Sequence, residues 1–442
     1  MKLAHLFRIL LIYLLFLYYF QIKFEPQYKF DMINDTIFDV IVIGGGISGI
    51  NTALKASESK KVLLIDERKY WGGRIATKTH PKYEMGAARF SNKHKLLNKL
   101  ICQYKMNMIQ LPQTIDHIRH SDVSETEFFS DVHKNLDKYF RNLVSVSKKY
   151  NATMLKEITL FEFMNLCNDE ETSENIVSMF GYHSEIKEMN AYDAINTFKK
   201  DFVNVEYFVL EEGLSSLCDR MIKHAKENGC ITKGSSFVTS VKKRDDLFEV
   251  KTKDCSYFSR TVVFAVKGEQ LRQFKILKSI HKHIDSIYSA ELLRIYAKYP
   301  IRRSGVWFNG LRRMTTNSFL RQIIPIDYDS GLIMVSYTDG KDVNSFKDNK
   351  GKILSEAKIK EKVQTELNVL FKTNIPQPLF FKVHYWRVGA HHWKPGYDSD
   401  NISKEILNPI KNVFVCGEAF SQKQAWIEGA LETSEMILKK IN

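Results

Sequence analysis

One stretch of this 442-residue chain does most to limit what it can fold into: Phe38-Asp39-Val40-Ile41-Val42-Ile43 runs directly into Gly44-Gly45-Gly46-Ile47-Ser48-Gly49. The β-branched run reads as a strand buried on both faces, as in a parallel sheet. In the G-x-G-x-x-G that follows, Gly44 permits a tight turn, Gly46 lets the backbone approach a pyrophosphate, and Gly49 lets the next helix pack close to the strand. The spacing predicts that helix from about Ile50 to Ser59, with its N-terminal N–H groups aimed at phosphate and Ile47 and Ser48 beside the same contact. A second strand, Lys61-Val62-Leu63-Leu64-Ile65, then ends at Asp66, where a carboxylate accepts hydrogen bonds from ribose hydroxyls. Strand, glycines, helix, strand and acid in this order specify an α/β, Rossmann-like unit that binds a dinucleotide. The motif alone does not separate NAD from FAD.

The residues that follow do. Asp66-Glu67-Arg68 is succeeded by Lys69-Tyr70-Trp71-Gly72-Gly73-Arg74, and this resembles the flavin-containing amine oxidase family, in which an acid and a basic residue precede G-G-R. The resemblance implies Arg68 along the adenosine side, and the Gly73 backbone with the Arg74 guanidinium at the diphosphate. Tyr83-Glu84-Met85-Gly86-Ala87-Ala88-Arg89-Phe90 is similar to the family's next segment, whose small residues pass against the flavin ring. Farther along, Ser236-Phe237-Val238-Thr239-Ser240-Val241 resembles the strand whose valine backbone meets the adenine, which assigns that role to Val238. Near the C-terminus, Asn412-Val413-Phe414-Val415-Cys416-Gly417-Glu418-Ala419 is similar to the family's strand and G-E turn, with Gly417 and Glu418 beside the cofactor. Trp426-Ile427-Glu428-Gly429-Ala430 opens the last helix. By the resemblance Trp426, Ile427 and Ala430 present that helix start to the pyrimidine end of the flavin, where an N-terminus stabilises negative charge. The family's covalently linking Cys belongs near Trp386–Gly396, where this chain has none, so the expected cofactor is non-covalent FAD.

On the substrate side the resemblance implies an amine held between two aromatic rings facing the flavin. Trp426 falls at one ring position, and His391, His392 or Trp393 are candidates for the other. Many members hold a lysine near flavin N5 through a water; here Arg294 stands at or near that position, with Lys298 as the alternative, and Arg is not equivalent because it stays protonated and forks its donors. Lys267 replaces the family's usual Pro, and Thr433-Ser434 replaces a glycine of the last helix. The activity implied is amine oxidation by hydride transfer to the flavin, with dioxygen as the second substrate. A desaturase, isomerase or NAD(P)H-linked oxidoreductase of the same fold, or a non-catalytic FAD-binding protein, are the alternatives.

The implied architecture is a Rossmann-like FAD-binding domain from 36–100, 205–275 and 400–442, interleaved with an α+β substrate domain from 101–204 and 276–399, the first of these mainly helical. Lys341–Lys352 reads as an exposed loop. Ahead of the domains, residues 1–30 carry the apolar run Ile9–Phe20 inside Leu3–Phe24, with no small-residue cleavage site after it, which is read as an N-terminal hydrophobic anchor helix and linker. The formal net charge is +14, but the basic residues are dispersed along the chain, so no specific nucleic-acid partner is expected. Six cysteines stand singly without metal-ligand spacing, and no metal site is expected.

Overall fold

The apolar run at Ile37–Ile43 becomes a strand with parallel neighbours on both sides, Val62–Ile65 and Ser256–Phe264. The computed structural model describes residues 36–120 and 125–441. The seven-stranded sheet extends to Ile231–Lys233 beyond Val62–Ile65; past Ser256–Phe264 come the antiparallel strands Leu247–Thr252 and Val238–Arg244, and Val413–Val415 pairs with Ser256–Phe264 in parallel. Alternation along the first strand serves two cores: Ile41 and Ile43 face one cluster, Val40 and Val42 the other, and all four are buried. Each such side chain contributes about 1.5–3 kcal/mol of transfer free energy, so a one-residue slip would be costly on both faces.

The helices Ile47–Ala56, Leu214–Glu227 and Ile427–Ile441 cover the Val40 and Val42 face. The first of these starts and ends about three residues earlier than its sequence suggests. Gly46, extended at φ −71° and ψ 170°, is its N-cap; no side chain caps it and its first turn holds no acid. Its first-turn N–H groups are therefore left without a side-chain cap or an acid of the helix's own first turn. Helix 47–56 is clasped to helix 427–441 by Asn51, whose amide donates to Ser434 Oγ (3.0 Å) and Glu435 Oε1 (2.8 Å), and by the Thr52–Ser434 hydroxyl pair (2.9 Å).

A second seven-stranded sheet carries the other wall of the molecule, in the order Phe380–Trp393, Ile287–Lys298, Leu332–Asp339, Gln322–Asp327, Met314–Thr316, Asp116–His120, Thr126–Phe129. Three strands therefore lie within the segment expected to be mainly helical: Met108–Gln110, Asp116–His120 and Thr126–Phe129. They are short; Met108–Gln110 and Asp116–His120 pair with strands remote in sequence, Tyr207–Leu210 and Met314–Thr316, while Thr126–Phe129 closes a hairpin with Asp116–His120. From His133 onward the segment is helical, with side-chain caps at Asn151, Thr159, Asp169 and Asn190 and a stack of Phe140, Phe180, Phe198 and Phe202 at its centre.

Lys341–Lys352 is also not simply an exposed loop. Gly340–Phe346 is a 3-10 helix that buries Val343 and Phe346 against the second sheet, because both are apolar and spaced to face it. The apolar segment 3–24 lies outside the described residues. Among the described residues no helix is long and apolar enough to cross a membrane.

Candidate active site

The glycine loop is built as the sequence requires. Gly44 sits at φ +111° and donates its N–H to Ile65 O (2.8 Å), and Gly45 N donates to Asp66 Oδ2 (2.5 Å). Arg68 N donates to the other oxygen of Asp66 (2.7 Å). Burial pushes the Asp66 carboxyl upward against these two backbone donors. Gly49 packs so closely that a Cβ there would lie 1.9 Å from Gly44 O. Gly46 differs: a Cβ would meet no protein atom within 4 Å. No protein atom requires Gly46 to be small, whereas Gly49 is small for the sake of the close loop–helix packing.

Gly46 opens on a cavity of ≈ 890 Å³. Its lining includes Asp66, Glu67, Arg68 and Val238, the loop and turn residues Gly44, Ile47, Ser48, Gly73, Arg74, Lys267, Gly417 and Glu418, and also Gly86, Ala87, Ala88, Arg89, Arg294, His392, Trp426, Ile427 and Ala430. The cavity thus gathers most of the candidate residues, from Gly44 to Ala430, segments at opposite ends of the described chain. Gly49, Trp393, His391 and Lys298 are absent from it. Gly49 faces inward behind the loop. Trp393, expected as a ring against the flavin, is a core residue instead: it is 1% exposed and its Nε1 donates to Ser421 O (3.1 Å), because strand Phe380–Trp393 turns it away from the cavity.

Arg74 does not stand free for a diphosphate as expected. Its Nη1 donates to Glu418 Oε1 (2.6 Å) and Gly389 O (3.1 Å). Glu418 also accepts from Ala425 N (2.9 Å) and is bonded to His391 Nδ1 (2.5 Å). Burial alone would raise the Glu418 pKa, but Arg74 and His391 overcome it and hold the carboxyl well below its usual range. His391, excluded from water, is held above its ordinary value by Glu418 and Glu269. This network ties the G-G-R turn, strand 380–393 and the start of the last helix together, so His391 is a structural partner and no cage residue. Around the same stretch, Lys267 is lowered by burial and by the nearby charges of Arg68 and Arg74. Lys267 and Arg68, beside a helix N-terminus without a side-chain cap, form a site suited to an anion.

Arg294 lines the cavity but is braced. Its Nη1 donates to Gly86 O and to Glu84 O (3.3 Å), and the guanidinium lies 4.3 Å from the Tyr337 ring centre. Lys298, farther along the same strand, does not line the cavity. Trp426 lies parallel to Tyr207, with ring centres 6.1 Å apart at 11°, and His94 meets it edge-on at 4.9 Å. His94 is itself fixed by Asp201 Oδ1 (3.1 Å). Sequence reasoning passed over Tyr207, Tyr182, Tyr337, Arg313 and Glu185, all of which line this end; the alternation of strands 207–210 and 332–339 shows which faces pair, but not that the two strands meet around one cavity.

Residues 47–436 match the flavin containing amine oxidoreductase family. The chain belongs to that family. Among solved structures, a putrescine oxidase with putrescine bound is 15% identical and superposes with a TM-score of 0.74 over 92% of this chain and 99% of that one. A variant of putrescine oxidase redesigned for cofactor binding is 14% identical, with a TM-score of 0.74 over 91% and 98%. Among curated proteins, a UDP-galactopyranose mutase of Mycoplasma genitalium is 26% identical over 143 residues, 31% of this chain and 35% of that protein, so this match spans about a third of the relative's length.

As a flavin-containing amine oxidoreductase the chain is an FAD-dependent oxidoreductase, and its cavity suits the cofactor. Gly46 and Gly417 both leave a cradle, the latter at φ +136° with no protein atom nearer than 3.8 Å to an added Cβ. The departure at Thr433 also has a reason. Its hydroxyl accepts from Gly417 N (2.9 Å) and lies within bonding distance of Gly429 O and Ala430 O, so it locks the G-E turn to the last helix.

Proposed function

We propose that this protein binds FAD non-covalently and oxidises an amine at the Trp426 end of the cavity. Bound there, FAD would supply a hydride acceptor for the carbon next to a neutral amine and a path for the electrons to dioxygen. The chain's own residues do the rest by binding and positioning. Asp66 would receive the ribose hydroxyls, Val238 would lie against the adenine, and Lys267, Arg68 and the Gly46 helix start would face the diphosphate. Gly86, Ala87 and Ala88 leave room for the flat ring, and Ile427 and Ala430 bring the last helix's N–H groups toward its pyrimidine edge. Trp426 and Tyr207 then exclude water from the reacting carbon. Water hydrolyses the imine product, so the balance is amine, O2 and H2O giving a carbonyl compound, ammonia and H2O2.

What supports this reading is that one cavity is lined by Asp66, Gly46 and Trp426 together with most of the residues expected to contact the cofactor. On this reading the FAD-binding part is 36–100, 205–275 and 400–442, and the substrate part is 101–204 and 276–399. The test is peroxide release by the FAD-loaded protein with a panel of amines and amino acids, read together with bleaching of the flavin under anaerobic conditions. Peroxide with bleaching supports the proposal; a flavin that no member bleaches sinks it. A second reading, a desaturase or isomerase of the same fold, is favoured by Arg294 in place of a lysine. Membrane attachment through 3–24 rests on the sequence; co-sedimentation of the full chain with vesicles, lost in a chain beginning at residue 30, tests it.

A further inference from the structure

An alkylamine in neutral water is an ammonium ion, because it ionises near the lysine value of about 10, yet oxidation at the neighbouring carbon needs the neutral amine. A proton must therefore leave the nitrogen inside the cavity, and the lining limits where it can go. The histidines there are poor acceptors: burial lowers His133 and pushes His392 down to about 4. The carboxylates of the lining are, with one exception, already in use. Asp66, Glu84, Asp339 and Glu418 accept from backbone N–H groups, and Glu67, Glu211 and Glu291 pair with side chains. The exception is Glu185, which lines the cavity with neither oxygen in a hydrogen bond or ion pair among the described residues.

Local structure holds Glu185 in place. Its short helix, Ser184–Lys187, buries Ile186 completely in the core. The start of that helix is pinned by Asp339, which accepts from His183 N and Ser184 N (2.8 Å each). Three charged groups act on the carboxylate: Asp339 from strand 332–339, Arg89 from the turn before Phe90, and Asp201 from the end of helix 191–201. Tyr207, on strand 207–210, is pushed up to about 12 by burial and stays a neutral hydroxyl. Arg89 places Glu185 beside Trp426, since its guanidinium carbon lies 4.8 Å from the Tyr207 ring centre and 5.9 Å from that of Trp426. Burial first and Asp339 second, against Arg89, bring Glu185 up to about 7. A base serves best when its ionisation lies near the working pH.

We propose that Glu185 meets the ammonium group of the substrate and takes one of its protons. An N–H bond breaks, an O–H bond forms on the carboxylate, and the nitrogen keeps the electron pair that assists loss of hydride from the next carbon. The proton then passes to water, and the formation of hydrogen peroxide from dioxygen takes up an equivalent one. The consequence for catalysis rests on the oxidase reading; the meeting of Glu185 with an amine is measurable without turnover.

The experiment uses the full chain loaded with FAD. Cumylamine, whose carbon next to nitrogen has no hydrogen to lose, is titrated between about pH 5.5 and 8, below its own ionisation, and followed by perturbation of the flavin spectrum. Benzyl alcohol is the uncharged control. Wild-type affinity for cumylamine is expected to rise at least tenfold as Glu185 ionises, while that for benzyl alcohol stays within twofold. Glu185→Gln is expected to lose the rise, and Glu185→Asp, which keeps the carboxylate, to retain it. Cumylamine affinities within threefold in wild type and Glu185→Gln at the upper pH overturn the proposal. Should Glu185→Gln fail to retain FAD, a flat wild-type titration overturns it, and a rise shared by wild type and Glu185→Asp supports it. Anaerobic bleaching by benzylamine then separates the two levels. Its rate is expected to rise through the Glu185 ionisation in wild type and only at least one pH unit higher in Glu185→Gln, where the amine must lose its proton to water. Bleaching with the same pH profile in both overturns the proton transfer and leaves the oxidase. No bleaching by any amine, with the cumylamine difference intact, overturns the oxidase and leaves the Glu185 contact.

Discussion

Gly46 and Gly49 belong to one motif yet are small for different reasons, and alanine at each separates the reasons. In Gly49→Ala the new Cβ falls 1.9 Å from Gly44 O and 3.1 Å from Ala265 Cβ. Neither contact can rotate away, because one is backbone and the other a Cβ. Helix 47–56 has to retreat by roughly 1 Å, an overpacking that costs about 1–3 kcal/mol. In Gly46→Ala the Cβ meets nothing within 4 Å, and φ −71°, ψ 170° is open to alanine. The gain of about 0.4–1 kcal/mol from a stiffer unfolded chain is offset by alanine being the poorer N-cap, so stability of the flavin-free protein stays within about 1 kcal/mol of wild type. The cofactor, however, must approach that same backbone. Expected loss of FAD affinity is tenfold or more, about 1.4 kcal/mol. Thermal unfolding of flavin-free protein and FAD titration by fluorescence quenching read the two quantities. Gly49→Ala should lower the midpoint by about 2–6 °C, and Gly46→Ala should leave it nearly unchanged. If Gly46→Ala unfolds as early as Gly49→Ala, or binds FAD within twofold of wild type, the assignment of Gly46 to the cofactor is refuted.

Glu418→Gln removes the charge that Arg74 and His391 share; with Arg74 a quarter exposed, the expected cost is about 2–3 kcal/mol, below that of a fully buried pair, measured by chemical denaturation. The pH dependence follows from the directions of the shifts. Glu418 is depressed, so its contribution is present above the ordinary carboxylate range and lost as pH falls toward its folded value; His391 is raised, so its contribution is complete below the ordinary histidine value and lost as pH rises through its folded one. The unfolding temperature should therefore peak at weakly acidic pH, roughly 4.5–6.5, and Glu418→Gln should flatten the peak; an unchanged profile contradicts the network. Trp426→Leu removes the ring that lies parallel to Tyr207 and should slow flavin reduction by about tenfold with flavin content unchanged, as followed by stopped-flow absorbance.

Much of the cofactor half was legible because it is local. Residues 38–66 contain strand, turn, helix and acid in continuous order, and the structure moves their boundaries by only a few positions. The G-E turn and last helix are likewise one short segment. The substrate half was less legible, since its strands are short and their pairing decides everything. Asp116–His120 acquires its place only by pairing with Met314–Thr316, and Arg313 reaches the cavity from the residue just before that strand. Trp393 illustrates the converse. An aromatic in the right segment looked like a ring for the substrate, yet a one-residue difference along a strand changes faces, and His392 has the cavity while Trp393 has the core. Nor does any local signal show that Arg89 rests on Tyr182 and Tyr207, two residues brought together by packing alone.

The central claim is that the cavity from Asp66 to Trp426 holds a flavin, and the visible spectrum of the purified, FAD-supplemented and desalted protein tests it most directly. The account predicts a flavin absorption band that stays with the folded protein, passes into the filtrate on denaturation, and is lost when Asp66 is changed to Ala. A folded wild-type protein with no flavin band would contradict it.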